Sequence, residues 1–128
     1  MFNFSDRKEE VILRNKFFSK KVTIDGITFD SKKEGNEYLR LKELEKKGLI
    51  RDLERQKEYV LQEKFKIGNK TRRPITYKAD FVYTTTEDNK YHVVDVKSPY
   101  TRKDKVYKIK KKLFEYKYGI ELEEIIWF

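Results

Sequence analysis

Residues 91–100 read YHVVDVKSPY, and this stretch decides how the rest of the chain is read. Tyr91, Val93, Val94 and Val96 are β-branched or aromatic and predict a buried strand. Asp95 and Lys97 sit inside it, and Ser98-Pro99 ends it. In a strand, side chains two apart share a face, so Val93, Asp95 and Lys97 point the same way, with Lys97 about 7 Å along from Asp95. A strand this apolar suits the middle of a sheet. The competing reading is an edge strand whose charges block aggregation.

Just upstream, ITYKADFVYTT (75–85) alternates. Tyr77, Ala79, Phe81 and Tyr83 are expected on one face, and Lys78, Asp80 and Val82 on the other. The turn TEDNK (86–90) joins the two strands. Antiparallel pairing brings them to about 5 Å from each other, and a register that sets Asp80 near Asp95 gathers two carboxylates and an ammonium at one spot. Adjacent carboxylates repel, so one stays protonated unless a cation lies between them. A hard divalent ion such as Mg²⁺ fits, because it takes oxygen ligands from a few carboxylates and from substrate phosphate.

Further out, KVTIDGITF (21–29) carries Asp25-Gly26 between apolar residues, a hairpin signal. DSKKEGNEYLRLKELEKKGLI (30–50) predicts a helix. Asp30 or Ser31 caps it, Glu34 stands in capping-box position, Tyr38, Leu41 and Leu44 form its apolar stripe, and Gly48 stops it. LIRDLERQKEYVLQEKFKI (49–67) reads as extended, Gln56 being a surface strand position, and Gly68-Asn69 turns the chain. RKDKVYKIKKKLFEYKYG (102–119) returns to helical spacing, with Val106, Ile109, Leu113 and Tyr116 expected inward and the lysines outward. IELEEIIWF (120–128) predicts a last strand, with Trp127 in the core. The expectation is a mixed α/β domain over 21–128, a central mixed sheet flanked by helices, preceded by a basic arm or short helix over 1–20.

Composition agrees with a folded, solvated domain: 38% of residues are apolar and 41% charged, with nine Tyr, nine Phe and one Trp. Disordered chains lack such aromatic content. Thirty-one Lys and Arg against 22 Asp and Glu give a net charge of +9, which favours polyanionic partners. There is no cysteine, which excludes disulfides, thiolate zinc sites and cysteine nucleophiles. No stretch reads as a signal peptide or a membrane span, so a soluble cytoplasmic protein is expected.

The Asp80 strand followed by Asp95-Val96-Lys97 resembles the PD-(D/E)xK nuclease superfamily, the restriction-endonuclease-like fold. There an Asp on one strand precedes an acidic residue, any residue and Lys on the next. Over about 100 residues, from Thr23 onward, the chain is similar to small phage and prophage members. The shared features are the FDSKKE…Y…L segment, an aspartate strand, a DVK strand and a lysine-rich helix. One departure is Ala79 where the superfamily signature has proline.

The resemblance implies a Mg²⁺-dependent endonuclease acting on DNA phosphodiesters, with Mn²⁺ able to substitute. Asp80, Asp95 and Glu34 would hold the metal, with Glu37 the substitute for Glu34, and Lys97 would assist the attacking water. Branched DNA such as a Holliday junction is the substrate suggested by the small phage enzymes, and two-fold cutting calls for a homodimer. Arg72, Arg73, Lys78, Thr101, Arg102, Lys103, Lys105 and Lys108 are the candidate nucleic-acid contacts. The competing readings are a non-catalytic nucleic-acid-binding protein on the same fold and an RNA endonuclease. His92, by parity opposite to Asp95, is read as a packing residue.

Overall fold

The computed structural model describes residues 21–127, and the arm expected over 1–20 lies outside them. The described chain forms two compact units, one ending at Arg40 and the other beginning at Leu41. The boundary falls inside a helix, α1 (Lys32–Lys46).

The N-terminal unit opens with the hairpin β1 (Val22–Ile24) and β2 (Ile27–Phe29). Asp25 (φ 53°) and Gly26 (φ 76°) both adopt left-handed backbone, as a type I′ turn demands. Ser31 Oγ accepts the Glu34 N–H at 3.0 Å and so caps α1. Inside the helix, a Cβ on Gly35 would come within 2.8 Å of a Val22 methyl and 3.0 Å of Ile24. Glycine here lets the hairpin lie against the helix. Phe29 packs on Tyr38 with ring centroids 5.1 Å apart, and the Tyr38 hydroxyl donates to Asp25 Oδ2 at 3.1 Å.

The C-terminal unit is built on a four-stranded mixed sheet. Its strands are β3 (Ile50–Gln62), β6 (Ile75–Thr85), β7 (Lys90–Lys97) and β8 (Leu122–Ile126), in the spatial order β3-β6-β7-β8. The first three run antiparallel to their neighbours, while β7 and β8 are parallel and joined through α2 (Lys105–Tyr118). A parallel pair needs such a crossover. After β3 in the chain a small hairpin, β4 (Phe65–Ile67) and β5 (Lys70–Arg72), forms a separate two-stranded sheet that turns at Gly68 and Asn69. The fold is mixed α/β with a central mixed sheet, as expected. β7 is an inner strand, so the edge-strand reading of its charges falls away.

Tyr77, Ala79, Val82, Val93, Tyr107, Phe114 and Leu122 form the core cluster of this unit. Strict alternation along β6 put Val82 opposite Tyr77 and Ala79. Instead all three join one cluster, and Phe81, Val82 and Tyr83 are buried in succession. A central strand meets apolar neighbours on both faces, which alternation alone does not reveal.

The phase of α2 also differs from expectation. Asp104 caps it by accepting the Tyr107 N–H at 2.9 Å, and Gly119 (φ 66°) ends it. But the helix packs through Tyr107 and Phe114, seven residues apart. Phe114 lies 4.9 Å from Tyr59 and 5.5 Å from Tyr77 between ring centroids. Val106, Ile109, Leu113 and Tyr116, expected inward, are exposed, and the first three line an open groove with Ile75. Two stripes one residue apart compete on this helix. The aromatic one wins because rings bury more area and meet rings already on the sheet. Trp127, expected in the core, is half-buried. No helix among the described residues is long and apolar enough to cross a membrane.

Candidate active site

Sheet register settles whether Asp80 reaches Asp95. β6 and β7 pair Val82 with Val93 and Phe81 with Val94. One more step in that register sets Asp80 against Asp95, and there the regular pairing stops. Side chains replace the missing ladder bonds: the Asp80 N–H donates to Asp95 Oδ1 at 3.0 Å, and the Val96 N–H to Asp80 Oδ2 at 2.9 Å. Both carboxylates are thereby fixed at the point where the strands part. Unpaired backbone donors would be costly in a buried place, so this exchange is also structural.

The remaining oxygens are held as well. Tyr77 donates its hydroxyl to Asp95 Oδ2, and Gln56 Nε2 donates to Asp80 Oδ1 at 3.2 Å. Asp95 is only 1% exposed. Burial, then the charge of Asp95, pushes the Asp80 carboxyl up to about 6, against the pull of the Val96 N–H and Lys97. Burial likewise raises Asp95, opposed by Lys97, Tyr77 and the Asp80 N–H. Burial and the neighbouring Asp95 push the Tyr77 hydroxyl strongly upward, so it stays a neutral donor.

Among the described residues, Lys97 is the cation paired with Asp95. Its Nζ lies 3.9 Å from Asp95 Oδ2, beyond hydrogen-bond reach, and 4.3 Å above the centre of the Tyr107 ring. Among the described residues one ammonium serves two buried carboxylates, which leaves the pair under-compensated. Each carboxylate oxygen accepts one of these hydrogen bonds and has a further lone pair available. That donor set suits a hard cation such as Mg²⁺, which binds through one or two carboxylates and keeps water or phosphate as its other ligands. Among the described residues, no group of three or more His, Cys, Asp or Glu side chains has metal-ligating spacing.

Glu34 and Glu37 belong to the N-terminal unit. Glu34 is buried at the third position of α1, its N–H taken by Ser31. Glu37 is tied to Arg40 by two hydrogen bonds, of 2.9 and 2.6 Å.

The candidate nucleic-acid contacts divide in two. Lys78, Arg72, Arg73, Lys103, Lys105 and Lys108 are exposed. Thr101 is engaged inside the turn after β7: its hydroxyl accepts the Ser98 N–H at 2.8 Å, and its own N–H donates to Ser98 Oγ at 3.1 Å. Arg102 Nε lies 3.8 Å from Glu124. His92 is a packing residue, stacked on Tyr83 at 4.9 Å and held by Glu123 at 2.6 Å and Thr85 at 3.0 Å.

Two residues at the site escape the sequence reading. Gln56, taken as a plain surface strand position, has φ 52° and binds Asp80. A left-handed glutamine inside a strand is strained by about 1–2 kcal/mol, and such strain collects at functional positions. Nothing in its neighbours signals this. Glu124 pairs with Asp95 across the parallel strands and accepts the Tyr107 hydroxyl at 2.6 Å, with Lys111 at 3.4 Å. The signal for Glu124 would have been the register of β8, which no local pattern supplies.

No curated protein and no solved structure matches this chain. Residues 14–127 match the family model described as "Protein of unknown function (DUF1064)", which takes in every strand and helix above, and the chain belongs to that family.

Proposed function

We propose that the protein is a Mg²⁺-dependent endonuclease that hydrolyses DNA phosphodiester bonds. The observation that carries this reading is the meeting of Asp80 and Asp95 where β6 and β7 part, with the Lys97 ammonium beside them. Asp80 and Asp95 would hold the ion, which supplies Lewis-acid polarisation of the phosphate and lowers the pKa of a bound water. Lys97 orients the attacking water and offsets the charge that grows on the phosphate oxygens. Glu34 is the further acidic residue that the resemblance to PD-(D/E)xK nucleases assigns to this role.

The exposed lysines that open α2, with Arg72 and Arg73, supply a basic surface for phosphate. The resemblance to small phage enzymes favours selection by DNA shape, branched DNA above all. The test is to incubate the purified protein with linear duplex, single-stranded, flap and four-way DNA, and with RNA, with and without Mg²⁺. Mg²⁺-dependent cleavage of DNA, lost in Asp95→Asn and Lys97→Ala, is expected. Binding without cleavage of any substrate, or cleavage unchanged in both variants, would sink the proposal.

A further inference from the structure

We infer that Tyr107, anchored by Glu124, is a positioning residue that holds the Lys97 ammonium at the Asp80–Asp95 site. The inference rests on the nuclease reading and deepens it. A lysine side chain has four rotatable bonds and loses up to about 2 kcal/mol of entropy when fixed. Asp95 does not fix this one alone, since the Nζ–Oδ2 separation of 3.9 Å is an ion pair without a hydrogen bond. The ring of Tyr107 does: Nζ sits 4.3 Å over its centre, and Tyr107 is buried at 8% exposure.

The choice of an aromatic face has a chemical consequence. A carboxylate holding the ammonium would occupy its N–H donors and cancel its charge. A π face attracts the charge and leaves the donors directed at water or phosphate. Lys97 therefore stays both placed and available.

Tyr107 is itself held at its far end. Its hydroxyl donates to Glu124 Oε2 at 2.6 Å, which steers the ring and enriches its π cloud. Glu124 stands opposite Asp95 in the β7–β8 register, so the anchor is built into the same sheet as the carboxylates. Lys111 at 3.4 Å and Arg102 at 3.8 Å flank Glu124 and complement its charge. Lys97 is fixed at its root too, its carbonyl accepting the Trp127 N–H at 3.0 Å.

The test joins NMR to kinetics. In the wild-type protein the Lys97 CεH₂ protons, assigned by their disappearance in Lys97→Arg, should show an upfield ring-current shift. Tyr107→Leu should abolish the shift, and Tyr107→Phe should keep most of it. In Mg²⁺-dependent cleavage, Tyr107→Leu should lower kcat about tenfold with KM within about twofold, the size expected of a partly desolvated cation–π contact. Tyr107→Phe should restore most of that loss, and Glu124→Gln should give a smaller fall in kcat. Added to Lys97→Ala, Tyr107→Leu should cost nothing more.

A Lys97 resonance without a ring-current shift in the wild-type protein overturns the inference, whatever cleavage shows. So does a full additional loss from Tyr107→Leu in the Lys97→Ala background. Should Tyr107→Leu not fold, Tyr107→Phe and Glu124→Gln carry the test, and an unchanged kcat in both overturns the anchoring. A shifted Lys97 in a protein that cuts nothing overturns the nuclease reading instead.

Discussion

Asp95 and Glu124 are partners in adjacent parallel strands, yet charge is handled in opposite ways around them. Glu124 is surrounded by donors and cations: the Tyr107 hydroxyl, Lys111 and Arg102. Asp95 is buried beside a second carboxylate, Asp80, and among the described residues one ammonium, that of Lys97, lies 3.9 Å away. A fold that wanted only stability would balance both places, because unpaired buried charge is expensive. The difference marks where the sheet balances its charge and where two carboxylates are left to share one ammonium.

Neutralising each carboxylate should break or sharpen that contrast. The largest effect is expected for Asp95→Asn, which should cut Mg²⁺-dependent cleavage by roughly 100-fold or more while keeping DNA binding, as measured by cleavage and gel-shift assays side by side. Asp80→Asn should do the same to cleavage but raise thermal stability without metal by about 1–3 kcal/mol, seen as a Tm several degrees higher. A lower Tm would mean that the pair is already balanced.

The pH dependence has a defined sign. Folding raises the Asp80 carboxyl from its ordinary 3.8 to about 6, so the folded state holds that proton more tightly than the unfolded chain. Its contribution to stability is therefore fully present below about pH 4 and is lost as pH rises through 6. Mg²⁺ should reverse the loss, so its stabilisation in a thermal melt should be greater at pH 7.5 than at pH 5. An equal Mg²⁺ effect at both pH values would count against ligation by this pair.

Glu124→Gln should act with the opposite sign to Asp80→Asn, lowering stability by up to about 1 kcal/mol because Lys111 and Arg102 lose their shared anion. The strained position should respond on a similar small scale. Gln56→Ala keeps the left-handed backbone and loses the bond to Asp80, so denaturant melts should show about 1 kcal/mol of destabilisation. Gln56→Gly relieves the backbone and should come out near neutral.

The strand YHVVDVK, the Asp25-Gly26 hairpin, the Ser31 cap and the stop at Gly119 are legible from local sequence, because each depends on neighbours a few residues away. So is the identity of Asp80, Asp95 and Lys97 as a chemically unusual trio. The packing face of α2 is not legible, since Val106, Ile109 and Leu113 satisfy helical periodicity as well as Tyr107 and Phe114 do. Only the aromatic rings waiting on β3 and β6 decide between the two. Gln56 and Glu124 are invisible for a related reason: a strained φ and a cross-strand partner leave no trace in residue order.

By itself the sequence determined the elements and their order, the basic charge, and the unusual trio of Asp80, Asp95 and Lys97. The tertiary structure decided that Asp80 faces Asp95 across parting strands, that Gln56 and Tyr77 hold them, and that Lys97 rests on Tyr107. The physical reason is range. Turns, caps and periodicity are set by interactions between near neighbours, whereas register and the placement of a charge depend on strands far apart in sequence that share one core.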